Sequence, residues 1–292
     1  MIKSFYSGNE KINYLTTKCV IDLHDVLSNN IHLLEEMDPV EPRGIKNYGL
    51  LESAINRQIT GSGEYYKYSD KCSNASTLTY GVLKNHAFHN GNKRAGFLAL
   101  IKHLYVNGYV LSPSTKSEEI YEVLISIADS NLQEFRRKYR KKYSFILSKE
   151  EKKQTKWDAD TEIRFLSYWI KKNINPKSTT IKGEVKIADL KKVLFNKGVI
   201  LEQNGSNIEV FIKNENKFLG FIPIGSRRIN IKKYSLGNNK TFIGKDTLKY
   251  LRKDFKLTPA DGIDDTFLYD DDAFLDSEIK AYKKIIYQLS KT

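Results

Sequence analysis

Apolar positions in the first half of the chain recur at helical spacing. From Thr17 onward they lie three or four residues apart, which predicts an amphipathic helix. The stripe comprises Val20, Leu23, His24, Leu27, Ile31 and Leu34. A second stripe from Leu50 to Ile55 ends before Gly61, and a third helix, with Ser73 or Asn74 as its N-cap, ends near His86. We therefore expect a bundle of helices.

One segment in this half is apolar on every side. Ala95 to Leu104 shows no polar face before the chain turns at Asn107-Gly108, so we expect a helix buried in the middle of the bundle. Glu118 to Tyr139 predicts one or two further helices. The short aromatic segment from Glu64 to Tyr68, which follows two glycines, is typical of a hairpin arm.

The second half shows a different pattern after a polar stretch, Ser148 to Gln154, that we interpret as a linker. Helical spacing from Glu162 to Lys172 and from Ile187 to Leu194 gives way to alternation with period two. The alternating residues are Ile208, Val210 and Ile212, with turns expected on either side at Asn204-Gly205 and at Asn214 to Asn216. A helix is expected at Leu248 to Phe255. An acidic segment, 264–272, then leads to a last helix at Ile279 to Leu289. The expected domains are 1–147, all helical, and 157–292, of α+β class with a core at 186–256.

Composition supports a folded protein with two domains. The chain has 292 residues, of which 40% are hydrophobic and 28% charged, enough to form two cores. Cys19 and Cys72 are too few for a disulfide framework and lack metal-site spacing. No apolar run reaches the roughly 18 to 20 residues of a membrane span, and Met1 to Asn13 has no signal-peptide core, so we expect a cytoplasmic protein without a membrane partner.

The chain is strongly basic. Its 48 Lys and Arg exceed its 35 Asp and Glu, which gives a net charge of +13. Such an excess favours a polyanionic partner such as a nucleotide, RNA or DNA. A genome whose codons favour Lys and Asn explains the same excess equally well.

A polar string lies immediately before the buried helix. It reads His86-Ala87-Phe88-His89-Asn90-Gly91-Asn92-Lys93-Arg94. The first turn of a helix has unpaired N–H groups and the positive end of the dipole, so an anion is stabilised there. Gly91 allows the backbone to approach a phosphate, and Lys93 and Arg94 add two cations. His86 is close enough to accept a proton from an attacking hydroxyl, so the string predicts a phosphate-binding site with a general base.

The same string resembles the core motif of the Fic/Doc superfamily. Gly44 to Ala54 resembles in particular the Doc, or death-on-curing, branch of toxin–antitoxin toxins, and the likeness covers about residues 17–140. It implies an all-helical Fic/Doc-like bundle that binds ATP and Mg²⁺.

The resemblance also implies roles for individual residues. His86 matches the general base, Asn92 and Arg94 match groups that hold the phosphates, and Gly91 matches the backbone anion hole. Asn90 stands at the metal-ligand position, where the family more often has Asp or Glu, so metal affinity is in question. The segment that matches a target-docking flap comprises Ser62, Gly63, Glu64, Tyr65, Tyr66, Lys67 and Tyr68.

Lys93 bears on the reaction. The Doc branch has Lys at this position and transfers the terminal phosphate of ATP to a Ser/Thr hydroxyl of a translation factor, which arrests growth. Most members that transfer AMP have Gly there, and AMP transfer stays open as an alternative. A catalytically weak member that acts as a nucleic-acid-binding regulator is a third reading. We find no Ser/Thr-x-x-x-Glu-Gly/Asn inhibitory helix, so restraint is expected from a separate antitoxin.

The second domain weakly resembles the small HicA-like toxins of double-stranded-RNA-binding type. The matching segments are Leu190 to Leu194, Lys197-Gly198, Gly205-Ser206 and Asp246 to Leu248. Asn207 replaces the His of the ribonuclease members, so no RNA cleavage is expected. Beyond residue 150 there are 28 Lys and Arg and 19 Asp and Glu, a net +9. This domain either contacts RNA or the ribosome, or only packs against the first domain.

Overall fold

The chain forms two compact units, and the second is inserted into the first. The computed structural model describes residues 2–30, 38–63, 65–177, 185–195, 197–218, 222–236, 241–258, 278–279 and 281–292. Unit 1 is Met1–Lys177 with Leu275–Thr292, and unit 2 is Ser178–Phe274. The division after Lys177 differs from the expected linker at 148–154. The predicted acidic segment, 264–272, lies outside the described residues.

Unit 1 is mainly helical, and its described residues also form three pairs of short strands, each strand two to six residues long. Its helices are α1 (Thr17–Asn30), α2 (Tyr48–Asn56), α3 (Lys71–Asn85), α4 (Asn92–Val106), α5 (Ser117–Ala128), α6 (Leu132–Lys138), α7 (Lys149–Lys153), α8 (Ala159–Lys172) and, after unit 2, α11 (Lys283–Ser290). Its strands are β1 (Ile2–Ser7), β2 (Glu10–Leu15), β3 (Gly61–Ser62), β4 (Tyr65–Tyr66), β5 (Tyr109–Leu111) and β6 (Ile174–Pro176), paired β1 with β2, β3 with β4 and β5 with β6, all antiparallel. The helical class expected for this part is confirmed in its coarse form, whereas the all-helical prediction is wrong, because three antiparallel strand pairs accompany the helices.

Helix α4 lies in the centre of unit 1. Every residue from Arg94 to Leu104 is buried, as the apolar run from Ala95 to Ile101 predicts, and Lys102 and His103 are buried with it. A Cβ on Gly96 would lie 2.8 Å from Leu83 Cδ2, so glycine lets α3 pack closely on α4. Helix α3 begins with Asp70 as its N-cap, in a capping box with Ser73, which corrects the expected cap at Ser73 or Asn74.

Helix α8 belongs to unit 1, and this explains why the expected boundary is wrong. Its buried face includes Phe165 and Trp169, and the Ser76 hydroxyl on α3 donates to the Ile163 carbonyl at 2.7 Å. The polar stretch before it is the short helix α7, capped by Ser148. A polar segment can form a capped helix between two parts of one core, so polarity alone does not mark a domain linker.

Helix α11 packs against α4 and α5 with one apolar face. Ile285, Ile286 and Leu289 are buried on that face. The ring of Tyr282, which precedes the helix, meets the ring of Phe97 edge-on, with centroids 5.3 Å apart. The predicted last helix therefore exists and completes the core of unit 1.

Unit 2 has the predicted order of helix, antiparallel strands and helix. Its elements are β7 (Val185–Lys186), α9 (Ile187–Phe195), β8 (Val199–Asn204), β9 (Asn207–Phe218), β10 (Ile222–Ser235), β11 (Phe242–Ile243) and α10 (Lys245–Asp254). Strand β9 lies between β10 and β8, and β11 pairs with β7. The expected turn at Asn214 to Asn216 is wrong, because β9 continues to Phe218 and stays paired with β10. The likeness to RNA-binding folds stays a prediction.

Unit 1 carries more of the net charge than the expected domain boundary indicated. Ser178–Phe274 holds 17 Lys and Arg against 13 Asp and Glu, so unit 2 carries +4 and unit 1 carries +9 of the total +13. Most of the basic excess therefore belongs to the helical unit. Among the described helices, none combines the length and the apolar run that crossing a bilayer requires.

Candidate active site

His86 stands at the junction between α3 and the loop that leads into α4. It is the C-cap of α3, with φ 46° and ψ 46°, and its side chain is exposed. This left-handed conformation is uncommon for a residue with a side chain. It turns the chain out of α3 and leaves the imidazole accessible at the mouth of the loop.

The loop is held by backbone bonds to the segment before α2. The Ala87 carbonyl accepts hydrogen bonds from the N–H groups of Lys46 (2.8 Å) and Asn47 (3.0 Å), and the His89 N–H donates to the Gly44 carbonyl at 3.1 Å. Ile45 and Phe88 form an antiparallel bridge. The sequence from Gly44 onward, which carries the Doc-like likeness, thus fixes the loop in place.

Asn92, the first residue of α4, braces the loop from the other end. Its Oδ1 accepts from the Phe88 N–H and its Nδ2 donates to the Phe88 carbonyl, both at 2.9 Å. The amide side chain is therefore engaged on both atoms. A phosphate-holding role for Asn92 stays a prediction.

Asn90 and Gly91 form the turn itself. Asn90 Nδ2 donates to the Glu41 carbonyl at 2.8 Å, while its Oδ1 accepts from the Gly91 N–H at 2.6 Å. Gly91 has φ +75°, and a Cβ there would lie 3.1 Å from Val40 Cγ1. Both the backbone angle and the close approach of Val40 require glycine.

The start of α4 is suited to an anion. Among the described residues no side chain caps its first turn, so the helix dipole and its N–H groups are not neutralised there. Lys93 is partly exposed, and Arg94 is only 2% exposed, with Nη1 donating to the Asp38 carbonyl at 2.9 Å. Arg94 Nε is buried without a hydrogen-bond partner in the described part of the chain, and burial lowers the pKa of the guanidinium. A buried cation with an unpaired donor favours a negatively charged ligand.

His24 on α1 supports the loop from below. It is 1% exposed, its Nε2 lies 2.9 Å from the Asn90 carbonyl oxygen, and its ring stacks on Phe88 at 3° with centroids 4.1 Å apart. A carbonyl only accepts, so Nε2 carries the proton. Burial lowers the pKa of the imidazole. Sequence reasoning placed His24 only in a helical stripe, although a polar residue among buried apolar ones was a usable signal.

The residues of the predicted site meet at one cavity of about 200 Å³. Its lining comprises His86, His89, Asn90, Gly91, Asn92, Lys93 and Arg94, together with Leu289, Ser290 and Thr292 from the end of α11 and beyond it. The structure thus brings together His86 and the loop as expected. The three C-terminal residues were missed, because no local pattern indicates that a segment about 200 positions away covers the loop.

This cover limits the cavity. Ligand sites commonly measure about 300 to 1,000 Å³, so this smaller cavity suits phosphate groups better than a whole nucleotide. Lys291 pairs with Asp38 at 2.8 Å, and Lys284 pairs with Glu118. Asp38 also supplies the carbonyl that holds Arg94. The C-terminal helix and the buried arginine therefore meet at the same short segment.

The predicted flap forms a small hairpin. Ser62 on β3 pairs with Tyr65 on β4, Gly63 has φ +59°, and Glu64 lies outside the described residues. The Tyr66 ring stacks on Phe5 of β1 with centroids 3.9 Å apart, and Tyr65 is 86% exposed.

The flap lines a groove of its own, of about 670 Å³, with the β1–β2 turn as the other wall. Among the described residues, this groove shares no lining residue with the cavity of His86. Lys67 pairs with Asp160 at 2.7 Å and Tyr68 is buried, so the last two flap residues are engaged within unit 1. Target docking by the flap stays a prediction.

The donor set fits phosphates better than a metal ion. The described residues contain no group of three or more His, Cys, Asp or Glu suited to a metal, and no described carboxylate lines the cavity. The oxygen offered by Asn90 already accepts the Gly91 N–H. The described residues therefore offer no ligand set dedicated to magnesium.

Two comparisons with known proteins agree with this geometry. Residues 14–104 match the family described as Fic/DOC. The chain is also similar to "Toxin Doc" of Mycolicibacterium smegmatis (strain ATCC 700084 / mc(2)155), with 29% identity over 87 residues. That match spans 29% of this chain and 65% of the relative, slightly less than two thirds of its length.

Proposed function

We propose, from the premise that residues 14–104 belong to the Fic/Doc family, that this chain is a toxin that transfers the terminal phosphate of ATP to a Ser or Thr hydroxyl of a target protein. The observation that carries the proposal is the cavity that is lined both by His86 and by the uncapped start of α4. A base and an anion site in one cavity are the two elements that phosphoryl transfer to a hydroxyl requires.

The step divides between these two elements. His86 accepts the proton of the target hydroxyl, whose oxygen forms a bond to the γ-phosphorus as the bond from that phosphorus to the β,γ-bridging oxygen breaks. ADP leaves with the electron pair. Lys93, Arg94 and the N–H groups of α4 stabilise the charge on the phosphate oxygens. Mg²⁺ bound to the incoming ATP would supply further charge neutralisation there, without a ligand set dedicated to it among the described residues of the site.

Lys93 favours phosphate transfer over AMP transfer. It lines the cavity and has no ion-pair partner among the described residues, so its charge is available to the triphosphate. A cation here stabilises a terminal phosphate placed directly over the helix start, whereas glycine leaves room for a different register. AMP transfer is the alternative outcome of the test below.

The test uses the full chain with a cell extract and ATP labelled at either the α or the γ phosphorus. Protein-bound label from γ only is expected, whereas label from α identifies AMP transfer. His86→Asn is the control, because Asn tolerates the left-handed backbone and cannot replace the imidazole as a base. No transfer from either label, with intact ATP binding, favours the regulator reading.

The wider roles follow from the same proposal. The target is expected to be a translation factor, modification of which arrests growth, and a separate antitoxin is expected to restrain the toxin. We also expect unit 2 to contact RNA or the ribosome. Its net charge of +4 supports this less than the +9 counted beyond residue 150 did. It is tested by filter binding of the chain to RNA at two salt concentrations, since phosphate contacts weaken as salt rises.

A further inference from the structure

We propose that His24 is a positioning residue of the phosphate loop, a role that rests on the proposed function. By donating its Nε2–H to the Asn90 carbonyl, it fixes the orientation of the Asn90–Gly91 peptide so that the Gly91 N–H faces the ligand side. His24 touches neither substrate nor reacting atoms. It acts through the backbone of the loop.

The geometry gives this peptide two distinct sides. The carbonyl of Asn90 points to the ring of His24, which is 1% exposed and lies on the interior side of the loop. In a trans peptide the C=O and N–H point in opposite directions, so the Gly91 N–H faces away from the interior. It donates there to Asn90 Oδ1, and Asn90 lines the cavity. The N–H is therefore on the side from which a phosphate approaches.

Glycine makes this orientation easy to lose. A flip of the Asn90–Gly91 peptide changes φ of residue 91 by about half a turn, from +75° to a negative value that glycine adopts equally well. The flipped carbonyl would face the cavity and repel phosphate oxygens. The residue that lets the backbone approach an anion thus also allows a second arrangement, and the hydrogen bond from His24 excludes it.

Packing alone does not account for the imidazole. Its ring stacks on Phe88, and a phenyl ring would provide the same contact. Only a donor at the Nε2 position satisfies the buried carbonyl of Asn90, whose loss is costly. The choice between these two roles, stacking and donation, can therefore be tested by separating them.

The experiment compares His24→Phe, which keeps the stack, with His24→Gln, which keeps an N–H donor of similar reach. The first readout is hydrogen exchange of the Gly91 amide, measured by NMR on the full chain. The second is binding of tripolyphosphate, measured by calorimetry. His103→Phe is the matched control, because His103 is also fully buried but donates to Asn74 on α3, away from the loop.

We expect His24→Phe to bind tripolyphosphate about 5- to 100-fold more weakly than the parent, the cost of one unsatisfied buried group. Gly91 exchange should become faster in the same variant. His24→Gln should restore both, and His103→Phe should change neither. The inference is overturned if the Gly91 amide exchanges equally fast in the parent and in His24→Phe. It is also overturned if His24→Phe binds tripolyphosphate more tightly than His24→Gln does. A parent that binds no tripolyphosphate overturns the proposed function instead, while the exchange comparison still decides the role of His24.

Discussion

Weakening the packing of α11 should increase the affinity for ATP. Ile286 is fully buried on this helix and does not line the cavity. Ile286→Ala removes buried methyl groups without changing the walls of the site. A substitution of this kind costs about 2 to 5 kcal/mol in a core, and we take about 2 because a terminal helix can partly close the gap.

The lost packing free energy should increase the fraction of molecules in which the residues at the end of α11 and beyond it no longer cover the cavity. A change of about 2 kcal/mol multiplies the uncovered fraction by roughly 30, and apparent affinity rises by the same factor until that fraction approaches one. The ion pair Lys291–Asp38 should matter less, because its side chains are 44% and 52% exposed. Exposed pairs contribute about 0 to 1 kcal/mol, so Lys291→Ala should raise affinity less than about fivefold.

Calorimetry with ATP and with inorganic phosphate distinguishes better access to the cavity from a general change in the affinity for phosphate groups. The affinity for ATP should rise in Ile286→Ala, whereas that for phosphate, which needs little space, should stay nearly constant. Ile170→Ala on α8 is the matched control, since Ile170 is equally buried in unit 1 and remote in sequence from α11. If Ile286→Ala and Ile170→Ala bind ATP as the parent does, the cover does not limit access.

Three further outcomes follow from the site and the core. Lys93→Ala should reduce tripolyphosphate affinity in a salt-dependent manner, and a loss that is the same at low and high salt would contradict a charge effect. Gly91→Ala should lower the thermal midpoint, because the substitution places a Cβ 3.1 Å from Val40 at φ +75°, and an unchanged midpoint would refute that strain. Burial lowers the pKa of His103 to about 3, so the unfolded chain binds this proton first as pH falls below about 6.5. Stability should then decrease by about 1.4 kcal/mol per pH unit between about 6 and 4 in denaturant titrations, and His103→Gln should lack that slope.

Local sequence was enough to predict that the candidate site residues lie together, because they belong to one short loop. The segment from His86 to Arg94 connects two helices. The apolar run that follows lacks a polar face and is therefore buried in the interior. The hairpin in which Gly61–Ser62 pairs with Tyr65–Tyr66 was also indicated, by the aromatic residues that follow two glycines.

Features that depend on distant partners were missed. The apolar face of α8 shows that the helix is buried, but nothing in its own sequence says against which unit. The same holds for Leu289 and Thr292, whose place over the loop follows from tertiary packing of α11. The N-terminal β1–β2 hairpin is weakly patterned, with Phe5 and Ile12 among polar neighbours, and gave no strand signal.

The order of synthesis has a consequence for the inserted arrangement. The ribosome makes Met1–Lys177 first, then Ser178–Phe274, and only then Leu275–Thr292, which completes unit 1. While translation continues, the nascent helical unit therefore has its cavity at the start of α4 without the wall formed by Leu289, Ser290 and Thr292. Pausing or cleavage before the last helix emerges would release a polypeptide in which this cavity has never been covered.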